Sequence, residues 1–316
     1  MGTRVVALCG GVGGAKLAYG LSRLLRPEDL CIIVNTGDDF EHLGLHICPD
    51  IDTVTYTLAD VAHAGQGWGR ADEQWMVMQE IERLGGESWF KLGDRDIALH
   101  LLRTQKMRAG STLTEVSAYF AAKLGVRHSV VPMCNQRVRT VLETEAGELA
   151  FQEYFVKHQC EPIVHALQYA GADDAGLTPE VTHALQDDNL RGVIVCPSNP
   201  YLSIAPILAV SGLRARLRAL SVPVLAVSPI VAGQALKGPA AKMMHELGHH
   251  GGALGIANLY ADFIDALMLD TQDFALAGRH NAVSPRLLFG NIIMTSRDER
   301  VELARTCLDH LDHLGG

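Results

Sequence analysis

The run RVVALCGGVGGAKLAYGLSRLL, residues 4–25, followed by LCIIVNT at residues 30–36, decides the fold. Its first six residues, RVVALC, form an apolar stretch of strand length stopped by glycines. Beyond them Leu17, Leu21, Leu24 and Leu25 fall on one helical face. A second apolar run follows, so the segment reads as strand, helix, strand: a βαβ unit. The theme returns with GVIVC (192–196), VPVLAVS (222–228) and NIIMT (291–295), with helical segments between them. Nearly continuous apolar strands suit a parallel sheet covered on both faces. The expected fold is therefore α/β, Rossmann-like, with helices on both faces of a parallel sheet. Residues 58–125 are richer in helix formers and carry most of the tryptophan, which predicts a smaller, mainly helical insertion within one domain spanning 1–316. Partial alternation about Glu145-Ala146-Gly147-Glu148 predicts a β-hairpin over 138–156.

Composition narrows the class. Of the 316 residues 48% are apolar and 20% charged, with a formal net charge of −9. Such an acidic balance disfavours nucleic acid and anionic membranes as partners, since polyanions are repelled. It leaves room for a small phosphorylated ligand in a locally basic pocket. No apolar run approaches the roughly 18–20 residues that span a bilayer. The apolar run near the start is too short for a signal peptide. Seven cysteines (Cys9, Cys31, Cys48, Cys134, Cys160, Cys196 and Cys307) are scattered without a C-x-x-C pair, several of them inside apolar runs. They read as reduced core thiols of a cytoplasmic protein.

Chemistry concentrates at the ends of the strands. GGVGGAK (10–16) supplies four glycines where the first strand enters the first helix, so backbone N–H groups can approach an anion at a helix N-terminus. It is neither a Walker loop, because Ala15 precedes the lysine, nor G-x-G-x-x-G. A tight turn is the simpler account, yet four glycines exceed what a turn needs. NTGDDFEHLGLHICPDIDT (35–53) carries Asp38, Asp39, Asp50 and Asp52 as two acidic pairs separated by one loop. Two carboxylates about 4 Å apart repel by about 4 kcal/mol at an effective dielectric near 20. A divalent cation reverses that repulsion, and hard oxygen donors suit Mg2+. In WFKLGDRDIALHLLRT (89–104), Asp94 or Asp96 is placed to cap a helix, leaving Lys91 and Arg95 to reach a ligand. CPSNPYLSIAPI (196–207) offers Ser198 and Asn199 between stiffening prolines, and VSPIVAGQALKGPAAK (227–242) offers Lys237 and Gly238 at a helix start.

Together these stretches resemble the 2-phospho-L-lactate transferase family of deazaflavin coenzyme F-420 biosynthesis. The resemblance runs through GGVGGAKL, VNTGDD, ICPDIDTVTYTL, GWGR, WFKLGDRDIALHLLRT, CPSNPYLSIAPIL, VSPIVAG…LKGPAAK and IIMTS, which cover nearly the whole chain in order. It implies a Mg2+-dependent transferase. Such an enzyme moves a phospho-acid (phospholactate, phosphoenolpyruvate or 3-phosphoglycerate) from its guanosine diphosphate derivative to the ribityl hydroxyl of the deazaflavin Fo, releasing GMP. It also implies a homodimer working after a guanylyltransferase. Carried onto this sequence, Asp38 and Asp52 are the expected catalytic, metal-binding pair, with Asp39 also on the metal. Asp50 with Lys91 or Arg95 is expected to hold Fo. Gly10, Gly11, Gly13, Gly14 and Lys16 are expected at the diphosphate, with Ser198, Asn199, Lys237 and Gly238 nearer the guanosine.

Two other classes compete. A non-catalytic nucleotide-binding regulator of related fold would carry a glycine- and serine-rich run after the paired aspartates, where this chain has FEHLGLHICPDIDT. HELGH (245–249) spells the H-E-x-x-H signature of zinc hydrolases, with two imidazoles four residues apart on a helix. The third-ligand position of the longer signature holds Gly255, leaving only Asp262 or Asp265 as substitutes. Pro239 and Gly248 bracket a short helix that closes before His249, taking it off the face of His245.

Overall fold

A computed structural model describes residues 2–236, 238–249, 251–278 and 285–315. Seven strands form one parallel sheet: β1 (Arg4–Cys9), β2 (Leu30–Val34), β3 (Ser129–Pro132), β4 (Leu190–Val195), β5 (Val224–Val227), β6 (Ala266–Asp270) and β7 (Arg286–Gly290). Their spatial order is β7-β6-β5-β4-β1-β2-β3, every neighbouring pair parallel. The chain therefore runs outward from β1 in one direction and returns to continue on its other side, so the order reverses between β1 and β4. In open α/β sheets that reversal leaves a crevice at the carboxyl ends of the strands, where ligands bind.

Alternation along the strands explains the two core layers. Val5, Ala7 and Cys9 face one layer, with Leu17 and Leu21 of helix α1 (Gly11–Leu24), Val54 of α2 (Pro49–Leu58) and Leu303 and Leu311 of the helix Arg297–Gly315. Val6 and Leu8 face the other, with Leu213, Met243, Met244 and Ile256. Successive strand side chains point to opposite faces, and both faces here are covered. Between residues 58 and 125 lie α3 (Met76–Arg83), α4 (Asp94–Arg108) and α5 (Leu113–Lys123). The hairpin forms as Arg139–Thr144 against Gly147–Ala150, and Val164–Ala170 adds a third antiparallel strand beside it.

Three departures from the sequence reading concern strands. Ser129–Pro132 and Ala266–Asp270 are strands that the apolar pattern did not single out. At the last strand, pairing falls on RLLFG (286–290), and the NIIMT run follows it as irregular chain. A fourth departure concerns the acidic loop. Residues 40–47 fold into a small hairpin, Phe40–His42 against Leu45–Ile47, with Leu43 and Gly44 both at positive φ in its turn. Asp50 and Asp52 lie beyond it, in the first turn of α2.

Candidate active site

The crevice between β1 and β4 is built from three strand ends: Gly10–Gly11 after β1, Asn35–Asp39 after β2, and Pro197–Ser203 after β4. Close packing, more than conformational freedom, explains the glycines after β1. A Cβ on Gly13 would sit 2.3 Å from the Pro197 carbonyl oxygen. One on Gly14 would meet Ser198 Oγ at 2.5 Å, and one on Gly10 would meet Asp50 Oδ2 at 2.5 Å. These residues bring the start of α1 against the β4 loop and α2 without side chains between them. Ser198 fastens the same junction: its Oγ accepts from Gly10 N–H at 3.1 Å and donates to Gly10 O at 2.8 Å. Asn199 caps the turn that follows, Oδ1 accepting from the N–H groups of Tyr201 and Leu202.

The N-terminus of α1 already faces an anion of the chain itself. Gly11 N–H donates to Asp50 Oδ1 at 2.6 Å, where the glycine reading had put a phosphate. Lys16 donates to the Met294 carbonyl oxygen at 2.7 Å. Lys91 and Arg95 are both exposed, with Arg95 in the first turn of α4. Neither Asp94 nor Asp96 caps that helix. Glu73 does so from outside, accepting from the N–H groups of Arg95 (2.8 Å) and Asp96 (3.2 Å), while Asp94 Oδ1 accepts from Val77 N–H. Gly238 is exposed at φ +72°, and Lys237 lies outside the described residues.

The four aspartates converge, but each keeps different company. Asp38 is 4% exposed and Asp50 is 7% exposed. Asn35 lies between them, its Nδ2 donating to Asp38 Oδ1 at 3.1 Å and to Asp50 Oδ2 at 2.9 Å. Burial pushes the Asp38 carboxyl well up from its ordinary value, and the charges of Asp50 and Asp39 push it further. Burial raises Asp50 to about 6, against the pull of Asn35 and the Gly11 N–H. Asp39 turns toward the hairpin, Oδ2 lying 3.6 Å from His46 Nε2. Asp52 turns the other way, into a buried ion pair. Arg103 Nη1 donates to its Oδ2 at 2.9 Å and Arg103 Nη2 to its Oδ1. The expectation of Asp52 as a metal ligand thus meets a carboxylate with both oxygens engaged by a guanidinium.

Arg103 is 2% exposed and comes from α4, an element that sequence spacing never linked to Asp52. Beneath it, burial lowers His100 to about 4 and raises Asp96 to about 7. Asn35, His46 and Arg103 belong to the cluster and were missed by the sequence reading. Asn35 was visible as the polar residue ending the second apolar run. Arg103 offered only a weak signal, a cation inside the apolar face of HLLRT.

The H-E-x-x-H stretch has no metal-binding geometry. Helix Ala240–Glu246 ends between the two imidazoles, with Gly248 at φ +71°. Gly248 N–H bonds His245 O and His249 N–H bonds Met244 O, the paired closure of a Schellman motif. His245 and His249 are both exposed, and Glu246 pairs with Lys242 at 2.6 Å. Asp262 is held by Arg214, and Asp265 accepts from Val224 N–H. Among the described residues, neither histidine joins a group of three metal-donor side chains.

The fold is shared with a protein of the UPF0052 family from Bacillus halodurans, at a TM-score of 0.65 and 13% identity over 98% of this chain and 99% of that one. At that identity the likeness concerns fold alone. The phosphoenolpyruvate transferase of Kitasatospora aureofaciens is 38% identical over 312 residues, covering 96% of this chain and 97% of that protein. The 2-phospho-L-lactate transferase of Methanosarcina barkeri is 32% identical over 308 residues, covering 98% of each. The family model described as 2-phospho-L-lactate transferase CofD matches residues 5–284. With a switch-point crevice lined by buried carboxylates and a full-length match of this strength, the chain belongs to the 2-phospho-L-lactate transferase family.

Proposed function

We propose that this protein transfers a phospho-acid from its guanosine diphosphate derivative to the ribityl hydroxyl of Fo, releasing GMP in coenzyme F-420 biosynthesis. The observation that carries the reading is the meeting of Asp38 and Asp50 on Asn35 at the sheet's switch point. It is joined by family membership over residues 5–284. Relatives named phosphoenolpyruvate transferase, at 37–38% identity, put phosphoenolpyruvate first among the donors to try.

The donor set fits a divalent cation. Burial and the charges of Asp50 and Asp39 raise the proton affinity of Asp38, a cost that a cation would offset. Hard oxygens on that scale suit Mg2+. We assign it to Asp38 and Asp50, leaving Asp52 to Arg103. When bound, the ion would screen the negative charge of the diphosphate.

The chain's own residues supply position. In the transfer, the Fo hydroxyl oxygen bonds to the phosphorus bearing the acid. The bond from that phosphorus to the GMP oxygen breaks, and GMP leaves with the electron pair. Such transfers depend mainly on alignment and charge neutralisation. A carboxylate of the cluster takes the hydroxyl proton as the new bond to phosphorus forms. Asn35 keeps Asp38 and Asp50 apart and oriented. Gly10, Gly13 and Gly14 let the start of α1 pack directly on Asp50, Pro197 and Ser198. The proposal includes a cytoplasmic homodimer supplied by a guanylyltransferase.

The test offers Fo, Mg2+, GTP and a guanylyltransferase with each phospho-acid in turn, reading GMP and product mass. One acid appended to Fo with one GMP per product supports the reading. Absence of GMP release with every donor overturns it.

A further inference from the structure

We propose a second, chemically distinct metal site in this chain: Asp39, His46 and Cys48 form a three-donor site for a thiophilic divalent cation such as Zn2+. The fold places the donors together by strand geometry. His46 and Cys48 flank Ile47 at the end of the short hairpin, so they share one face while Ile47 turns into the apolar cluster with Leu92 and Ile97. Asp39 begins the same hairpin on the opposite strand, where Phe40 pairs with Ile47.

One donor atom from each residue lies within 4.8 Å of the others, the one such group of three among the described residues. Tetrahedral zinc, with bonds of about 2.0–2.3 Å, sets its donors roughly 3.5 Å apart, so side-chain adjustments of about 1 Å close the trio. Two atoms in it lack the hydrogen bonds that buried polar groups make. His46 Nε2 has no hydrogen-bond partner, and neither has Asp39 Oδ1 on a side chain more than nine-tenths buried. His46 is 23% exposed at its side chain, which leaves a way in from solvent. Cys48 is fully buried, with its Sγ within 4.8 Å of the Asp39 and His46 donor atoms.

The donor chemistry separates this site from the neighbouring carboxylates. Asp38 and Asp50 offer hard oxygens, whereas a thiolate and an imidazole favour zinc or cobalt over magnesium. Three protein ligands leave a fourth position open to water. Binding would release the Cys48 proton, since the thiolate is the ligand.

Cobalt is the probe, because a thiolate ligand gives it a charge-transfer band in the near ultraviolet. Metal-free full-length chain is titrated with Co2+ in excess Mg2+, then with Zn2+. The expected result is one equivalent of Co2+ showing that band, displaced by Zn2+. Cys48→Ser and Cys48→Ala, each verified as folded by circular dichroism, should both lose the band. His46→Gln should weaken Co2+ binding on the order of tenfold or more. Asp38→Asn should keep the band, which distinguishes this site from the proposed magnesium position. A parent protein without the band overturns the proposal. So does a band that survives in the folded Cys48 variants, or one lost in Asp38→Asn alone.

Discussion

Replacing Arg103 with methionine removes the cation from the most deeply buried ion pair among the described residues and leaves Asp52 facing no counter-charge. Arg103 is 2% exposed and Asp52 is 6% exposed, so water cannot take over the missing role. Breaking a buried pair by removing one partner costs about 3–5 kcal/mol, because the remaining charge stays desolvated. Unfolding entropy of about 2.1 cal/mol/K per residue, applied to this chain, converts that loss into a fall in Tm of roughly 5–8 °C. His100 sharpens the effect. Its Nδ1 lies 3.2 Å from Arg103 Nη1 and 3.8 Å from Asp52, and burial keeps it neutral, so it cannot replace the lost charge. Asp52→Leu should destabilise comparably by stranding the guanidinium. The double variant, with neither charge present, should recover most of the loss. The assay is thermal unfolding followed by circular dichroism at one scan rate for the parent, both single variants and the double. Additive losses in the double variant, or a drop under about 1 °C in Arg103→Met, would refute the reasoning.

Three further outcomes follow from the same cluster. Asp50→Asn should raise stability by about 3 kcal/mol at pH 7.5 and by only about 1 kcal/mol at pH 4.5, read by denaturation at both values. The sign comes from a folded carboxyl held near 6 against about 3.9 unfolded: the folded state binds the extra proton, so stability falls as pH rises through that window. Asp38→Asn should lower GMP release by about 10²–10³-fold with folding intact, and unchanged turnover would remove Asp38 from the site. Gly13→Ala forces a methyl against the Pro197 carbonyl and should cost about 1–3 kcal/mol, measured as a lower midpoint in urea.

The central βαβ unit was legible because its strands are short unbroken apolar runs, the first stopped by glycines. ALMLD (266–270) was not, since alanine, leucine and methionine favour helix and only burial between two neighbours makes that segment a strand. The isoleucine pair of NIIMT drew attention past RLLFG, whose pairing with β6 is a tertiary fact. At the site, the aspartates were readable as a cluster because they are dense in sequence. Their separation into three environments was not. It depends on Asn35 reaching two carboxylates, on His46 arriving from a hairpin whose only local signal was Leu43-Gly44, and on Arg103 arriving from 51 residues away. The glycines after β1 were legible, while their packing partners were not. Their density suggested a phosphate cradle, and part of it serves the close approach of Pro197 and Asp50.

That partition also explains how one short segment can hold four buried or half-buried acids. Left together and desolvated they would be costly to ionise: burial, with the neighbouring carboxylates adding to it, raises both Asp38 and Asp50. The fold relieves one of them outright, Arg103 for Asp52, and sets His46 3.6 Å from Asp39. It gives Asp38 and Asp50 no cation, only neutral donors: the Asn35 amide for both and the Gly11 N–H for Asp50. A protein selected for stability alone would gain by neutralising that pair as well. Retaining it costs folding free energy at neutral pH, and a cation bound there returns the difference. The pair left uncompensated is thus the one whose strain a ligand can relieve, and it stands at the strand ends where this family's chemistry is proposed to occur.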